Sequence, residues 1–259
     1  MMVGIIIIIV LGKNIKILFV FLRVGLTLPH LFLIHKTKHM PNWCSNNVYI
    51  EADSDTILTF LALLNKEVRE GETKHGVFRT LIGIKPNVSL EEYRIGAWYD
   101  ANCDYWGCKW DIEFNEHSFD FDTKSGTFSI DCETAWSPCD AFLSNLVEKY
   151  KGIRFAEITY SESGMNYAGR VIYRRDTDGD VNREDESYTF MEGLYHFDID
   201  TFWCEVESNL EYLTDDGDLP ETAEEFLKDY GYLPEVSKQE VIELYNRYKN
   251  QKQITAEAE

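Results

Sequence analysis

Between Asp100 and Asp111 the chain crowds three carboxylates, an amide, an ammonium and an indole into one short stretch: Asp100, Asn102, Asp104, Trp106, Lys109 and Asp111. If the two strand ends are neighbours, Trp136 and Ser137 join this set. Aromatic rings give flat apolar walls, and a few carboxylates with one lysine can orient a substrate, so the constellation reads as a small-ligand pocket. The same tryptophans also suit a plainer role, capping the end of a sheet and sealing a core. A second pair, Asp131 and Glu133, lies two apart on a strand and therefore on one face. Adjacent like charges there raise one pKa and permit acid-base work, although a solvent-facing acidic strip has the same spacing.

Other chemistries lack their signatures. The six cysteines (Cys44, Cys103, Cys108, Cys132, Cys139, Cys204) form no CxxC and no paired pairs, and read as free thiols in a reducing compartment. After Met40, His75, His117 and His196 stand at no ligand spacing. No metal and no cofactor is expected. The acidic run Asp176 to Glu186 has its glycine at the fourth position and Ser187 at the twelfth, which fails a calcium loop and fits a charged hairpin tip. No nucleophile elbow, P-loop or dinucleotide loop occurs. An enzyme is the less expected outcome.

Charge narrows the partners. The formal charge is −20, yet residues 1–39 contain five Lys or Arg and no Asp or Glu. Residues 176–235 hold 20 acids against Arg183 and Lys228. Such a field repels phosphates and draws basic partners. No basic frame surrounds the aromatic residues, so direct nucleic-acid binding is not expected.

The elements that must position these groups follow from periodicity. Val48 and Ile50 alternate with polar neighbours in a first strand, Trp43 to Glu51. Ile57, Phe60, Leu61, Leu64 and Val68 mark one face of a helix opened by Asp53 or Ser54, with a polar turn at Gly71. Residues 74–107 read as an insertion with a capping box at Ser89 and Glu92, its tail from Gly96 to Gly107 a loop or an irregular approach to a strand. Lys109 to Asn115 and Thr127 to Ala135 alternate as a hairpin. Ser137 and Pro138 open a helix to Tyr150, and Phe155 to Tyr160 is a strand. The order β, α, β, β, α, β has one common solution, an α+β ferredoxin-like antiparallel sheet with both helices on one face. Tyr167 to Arg175 and Ser187 to Phe190 extend it as a further hairpin. Beyond lie a short helix after Pro220, another capped by Ser237, and a frayed end of about seven residues.

The chain thus divides into a leader, 1–39, a ferredoxin-like domain, 40–190, and an acidic helical C-terminal extension, 191–259. The leader has three readings: a membrane anchor over residues 3–34 with Arg23 near the centre of its second stretch, a poorly fitting signal peptide, or untranslated DNA read in frame ahead of a start at Met40. The last is preferred, and with it a cytoplasmic protein that touches no membrane.

Four ordered motifs, PNWCSNNVYI (Pro41 to Ile50), AWYDANCDYWGCKWD (Ala97 to Asp111), ETAWSPCDAFLSNL (Glu133 to Leu146) and YSESGMNYAG (Tyr160 to Gly169), resemble the YubB ferredoxin-like domain family of phages and plasmids. Cys108 and Cys139 depart from its usual pattern. The family has no settled activity, so the resemblance implies only a mobile-element protein acting inside a bacterial cell. Combined with the acidity, the expectation is a non-enzymatic protein that binds a host protein through an acidic surface, as a DNA mimic or counter to host defence. The alternative is a small-ligand or enzymatic module built on Asp100 to Asp111 with Trp136.

Overall fold

The computed structural model describes residues 2–11, 14–23, 42–66, 75–114 and 118–258, with the first two segments and 251–258 described by backbone alone. Two compact units result, Met1–Pro41 and Asn42–Glu259. In the first, β1 (Met2–Leu11) pairs antiparallel with β2 (Asn14–Arg23), from Met2 opposite Arg23 to Leu11 opposite Asn14. Runs of β-branched isoleucine favour this extended backbone over a helix. No described helix is long and apolar enough to cross a membrane.

The second unit is an α+β fold on an antiparallel sheet. Its order among the described residues is β4 (Phe119–Asp122), β5 (Thr127–Ala135), β3 (Trp43–Ala52), β6 (Ile153–Glu162), β7 (Tyr167–Arg175), β8 (Val181–Tyr188). At the centre, β3 (Trp43–Ala52) buries Cys44, Asn46, Val48, Ile50 and Ala52 and turns the alternate residues outward. Asp53 then caps α1 (Ser54–Leu64): its carboxylate accepts the Thr56 N–H at 2.7 Å, satisfying a donor that the helix cannot. Ile57, Phe60 and Leu64 face the sheet. The turn expected at Gly71 lies outside the described residues. After the insertion come β4 (Phe119–Asp122), β5 (Thr127–Ala135), α5 (Asp140–Lys149) and β6 (Ile153–Glu162). Val48 sits between Ile130 and Ile158 in the ladders. This is the ferredoxin-like arrangement that the element order predicts. Phe60 meets Phe128 at 5.5 Å and the half-buried Tyr150 edge-on at 4.8 Å, and the fully buried Phe60 and Phe128 rings each contribute about 2–3 kcal/mol.

The insertion corrects the sequence reading twice. It contains α2 (Val77–Leu81) and α3 (Leu90–Glu92), the latter with the expected Ser89 and Glu92 capping box. A π-helical turn, Tyr93–Ala97, then leads into α4 (Trp98–Trp106), where a loop is expected. Ala101, Asn102 and Trp106 are the buried side of α4, and Gly107 ends it at φ +86°, a left-handed conformation that suits glycine. Nor is 109–114 a strand, while Asn115, the end of the expected one, lies outside the described residues. Asp111 is tied to the start of α2, and the Ile112 carbonyl accepts the Val77 N–H at 2.9 Å, so 109–114 runs irregularly and β4 forms the hairpin with β5 instead.

Two further boundaries move. Helix α5 starts at Asp140 behind Cys139, rather than at Pro138 behind a Ser137 cap, because Trp136 turns at φ +66° and the Asn46 side chain takes the Cys139 N–H. In the extra hairpin, β7 (Tyr167–Arg175) pairs with β8 (Val181–Tyr188), which begins six residues ahead of the expected Ser187. Arg170 with Glu186 and Arg174 with Glu184 bridge these strands, so β8 is held by charge pairs and backbone bonds on a sheet edge.

The C-terminal residues form α6 (Phe190–Phe197), α7 (Ile199–Asp216), α8 (Ala223–Phe226), a 3-10 turn at Leu227–Tyr230 and α9 (Glu235–Ala258). Phe202, Val206, Leu210, Phe226, Tyr230 and Tyr245 build a second apolar core there. Ser237 lies inside α9, bonded to Tyr195, and does not cap it; the helix continues to Ala258 where fraying is expected. Helix α6 lies on the sheet face opposite α1 and α5, with Gly193 against Ala168 of β7. Outward side chains of β3 and β5, among them Ser45, Asn47 and Asp131, line a recess that α6 also borders.

Candidate functional site

At the end of the sheet where β3 begins and β5 finishes, three indoles form a row. Trp43 opens β3, Trp136 follows β5, and their backbones are fixed by the ladder and by the Trp136 N–H donating to the Asn42 carbonyl at 2.9 Å. Trp110, from the irregular segment after α4, stands between them: its ring centroid is 6.2 Å from Trp43 and 6.1 Å from Trp136. The Lys109 ammonium sits 4.4 Å from the Trp110 centroid, 4.7 Å from Trp136 and 5.7 Å from Tyr99. Cation-π attraction to these three rings holds the lysine and ties Trp110 to Trp136. Trp43, Trp110 and Trp136 nevertheless remain 44%, 40% and 37% exposed, which is far more than a core cap requires.

The remaining sequence-predicted residues are spent on the fold. Trp106 is buried and its indole N–H donates to the Gly83 carbonyl at 3.0 Å. Asn102 accepts from the Tyr93 hydroxyl and donates to the Lys109 carbonyl, pinning α4 to the segment that carries Trp110. Ser137 donates to the Gly107 carbonyl at 2.6 Å. Asp111 accepts the N–H groups of Phe78, Arg79 and Ile112, at 2.7, 3.0 and 2.9 Å. Burial nonetheless pushes its carboxyl up to about 6, against the pull of those three donors. Asp100 and Asp104 are exposed, Asp104 paired with Lys85 at 2.6 Å. Of the expected set, then, Lys109 and Trp136 meet in the aromatic row, while Asn102, Trp106, Asp111 and Ser137 brace it from behind.

Beside the row opens a cleft of about 820 Å³, lined among others by Trp43, Trp110, Glu113, Phe114, Asp131 and Glu133. Asp131 and Glu133 face solvent, and Asp131 accepts from Asn47 at 2.6 Å. A smaller recess of about 340 Å³ under α6 shares Asp131 and adds Thr159, Ser161 and Phe197. Sequence reasoning did not place Trp43 and Trp110 here. Trp43 takes its position from strand pairing opposite Ala135, and Trp110 from the tether of the neighbouring Asp111 to α2, neither of which a local pattern reveals.

Reactive groups are muted. Burial pushes the Cys44 thiol up to about 12 and the Cys108 thiol also upward, so both stay protonated at neutral pH. Among the described residues, no three of His, Cys, Asp or Glu are placed to hold a metal ion.

Residues 109–202 match the family model for a ferredoxin-like domain in Api92-like protein. The matched stretch begins at Lys109 and runs through β4 to β8 and α6 into α7, so it includes Trp110, Asp131, Glu133 and Trp136 and leaves Trp43 outside. It supports a ferredoxin-like family for this sheet. No curated protein and no solved structure gives a match.

Proposed function

We propose that this protein is a binding module, not an enzyme, and that it takes a basic surface of a host protein onto the Trp43, Trp110 and Trp136 row and the carboxylates beside it. The observation that carries this reading is the row itself: three adjacent indoles, each more than a third exposed, two of them under one lysine. Exposed tryptophans arranged this way resemble the anchors that dominate protein interfaces. The acidity concentrated in 176–235 would steer a basic partner toward the molecule.

Resemblance of the four Trp-rich motifs to the YubB family supports the finer version, a mobile-element protein that acts in the cytoplasm of a bacterial host. There a DNA-mimicking or anti-defence role suits an acidic surface, since DNA-binding host proteins present basic patches. Capture of partners from host lysate tests this at low and high salt, with the Trp110→Ala variant in parallel. Retention that is lost in high salt and lost in the variant is the expected result. No partner at either salt, or one indifferent to salt, would remove the electrostatic reading.

A small-ligand site is the second reading. It is favoured by the recess under α6, where Asn47, Asp131, Thr159 and Ser161 present amide, carboxylate and hydroxyl groups to one space. It has moved from the expected Asp100 to Asp111 segment, whose polar groups largely serve the fold.

A further inference from the structure

The indole row is electrically polar. At one end the Lys109 ammonium lies 4.4 Å from the Trp110 centroid and 4.7 Å from that of Trp136. At the other end Trp43 stands opposite Ala135, which makes Glu133 its diagonal neighbour on the same face of the sheet. Asp131 follows on that face, and Asp131, Glu133 and Glu113 are all exposed. A cation of a partner is therefore repelled at Trp110 and Trp136, over which a lysine already lies, and attracted past Trp43. What suits the rings themselves is neutral and apolar.

The fold also keeps a strained residue to complete the row. Trp136 has φ +66°, uncommon for a bulky side chain. Its N–H donates to the Asn42 carbonyl at 2.9 Å and its carbonyl accepts the Tyr167 hydroxyl at 2.8 Å, so both sides of the strained unit are held.

From Trp43 through Trp110 to Trp136 the ring centroids step by 6.2 and 6.1 Å, and the planes tilt by 42° and 32°. Tilted rings present ridges, which ill suit the flat face of a sugar chain. A polyproline II chain advances about 3.1 Å per residue, so two of its residues match one step. Its conformation is formed before it binds, and it docks on aromatic surfaces with little ordering entropy to lose. We infer that the row binds a proline-rich segment of a partner protein in the polyproline II conformation. Its prolines lie over Trp43, Trp110 and Trp136, and an arginine or lysine follows beyond Trp43, beside Glu133 and Asp131. This rests on the protein-binding reading above and adds to it the conformation and composition of the partner segment.

The test uses the full chain and capped peptides with about six prolines, two turns of the helix, and a pair of arginines at one end. The basic pair is placed at either end in separate syntheses. Further peptides carry alanine for every proline, glutamate for both arginines, or no charged pair at all. Tryptophan fluorescence of the protein reports affinity. The parent peptide shifts the emission, and the alanine and glutamate replacements each weaken its binding at least about tenfold. The exposed substitution Glu133→Gln weakens the parent peptide about threefold, the size of an exposed ion pair, and leaves both the uncharged peptide and the melting temperature unchanged. An equal effect of Glu133→Gln on both peptides would overturn the placement of the arginines. Equal binding of the alanine peptide would overturn the polyproline class, yet leave the binding-module reading standing. Equal binding of the glutamate peptide would overturn the basic end. Binding of a short β-linked glucose oligomer but of no peptide would assign the row to a sugar and overturn the inference. Binding of neither would refute it as well, while capture from lysate still judges separately the reading on which it rests.

Discussion

The side chain of Asn46, on the central strand, accepts the Cys139 N–H at 3.2 Å and so caps from a distance the helix that follows it in space. The same amide donates to the Cys44 carbonyl at 2.7 Å and to the Thr134 hydroxyl at 2.9 Å. Asn46 is only 2% exposed, so its loss leaves buried groups unpaired. Asn46→Ala is predicted to destabilise the second unit by about 2–3 kcal/mol. Urea unfolding checks this, and a change under about 0.5 kcal/mol would show that water replaces the amide without cost.

Gly193 sets how closely α6 approaches the sheet. A Cβ built there would stand 2.1 Å from the Ala168 Cβ, a distance that no real pair adopts. Gly193→Ala is predicted to cost about 1–3 kcal/mol despite the better helix propensity of alanine. Ala168→Gly in the same chain recovers most of the loss. A double-mutant cycle with no coupling between these sites would place α6 elsewhere.

Asp111 makes stability depend on pH with an unusual sign. Folded, its carboxyl is pushed up to about 6 by burial; in the unfolded chain it titrates near the ordinary value of about 4. Between these values the folded state keeps a proton that the unfolded state has released. The contribution is therefore full below about pH 4 and is lost as pH rises through about 6, on the order of 3 kcal/mol in all. Asp111→Asn removes this segment of the slope. Unfolding free energies of both proteins across that range give the difference directly, and parallel curves would contradict the assignment.

Lys109 ties Trp110 to Trp136 without burying them. Lys109→Met keeps an apolar stem and removes the ammonium that lies over Trp110 and Trp136. Stability is predicted to fall by only about 0.5–1 kcal/mol, while the near-ultraviolet circular dichroism of the tryptophans weakens. Unchanged tryptophan ellipticity would mean that the rings are ordered by other contacts.

Much of the sheet was legible because its strands obey a period of two: Val48 and Ile50 on β3, Phe128 and Ile130 on β5. The same rule misled at 109–115, where Trp110 and Ile112 share parity yet one is exposed and the other buried. What decides that segment is the tether from Asp111 to α2, a contact 32 and 33 residues away along the chain. Strand β8 gave no apolar signal, since Asn182 to Glu186 are polar and it is held by arginines of β7. Helix α7 does carry a readable pattern, Phe202, Val206 and Leu210 behind the Asp198 cap, but the acidic residues around it mask the apolar period. For the site, Lys109 and Trp136 were visible as chemistry. Their partners Trp43 and Trp110 come into place only through strand pairing and the folding of 109–114.

The central claim is that the indole row is a contact surface and not a piece of the core. Trp110→Ala, followed by both the unfolding free energy and the salt-sensitive retention of host protein, tests it most directly. The account predicts a stability change within about 1 kcal/mol together with loss of retention. A loss of about 3–5 kcal/mol, the size expected for a buried tryptophan, with retention intact in the folded fraction, would contradict it.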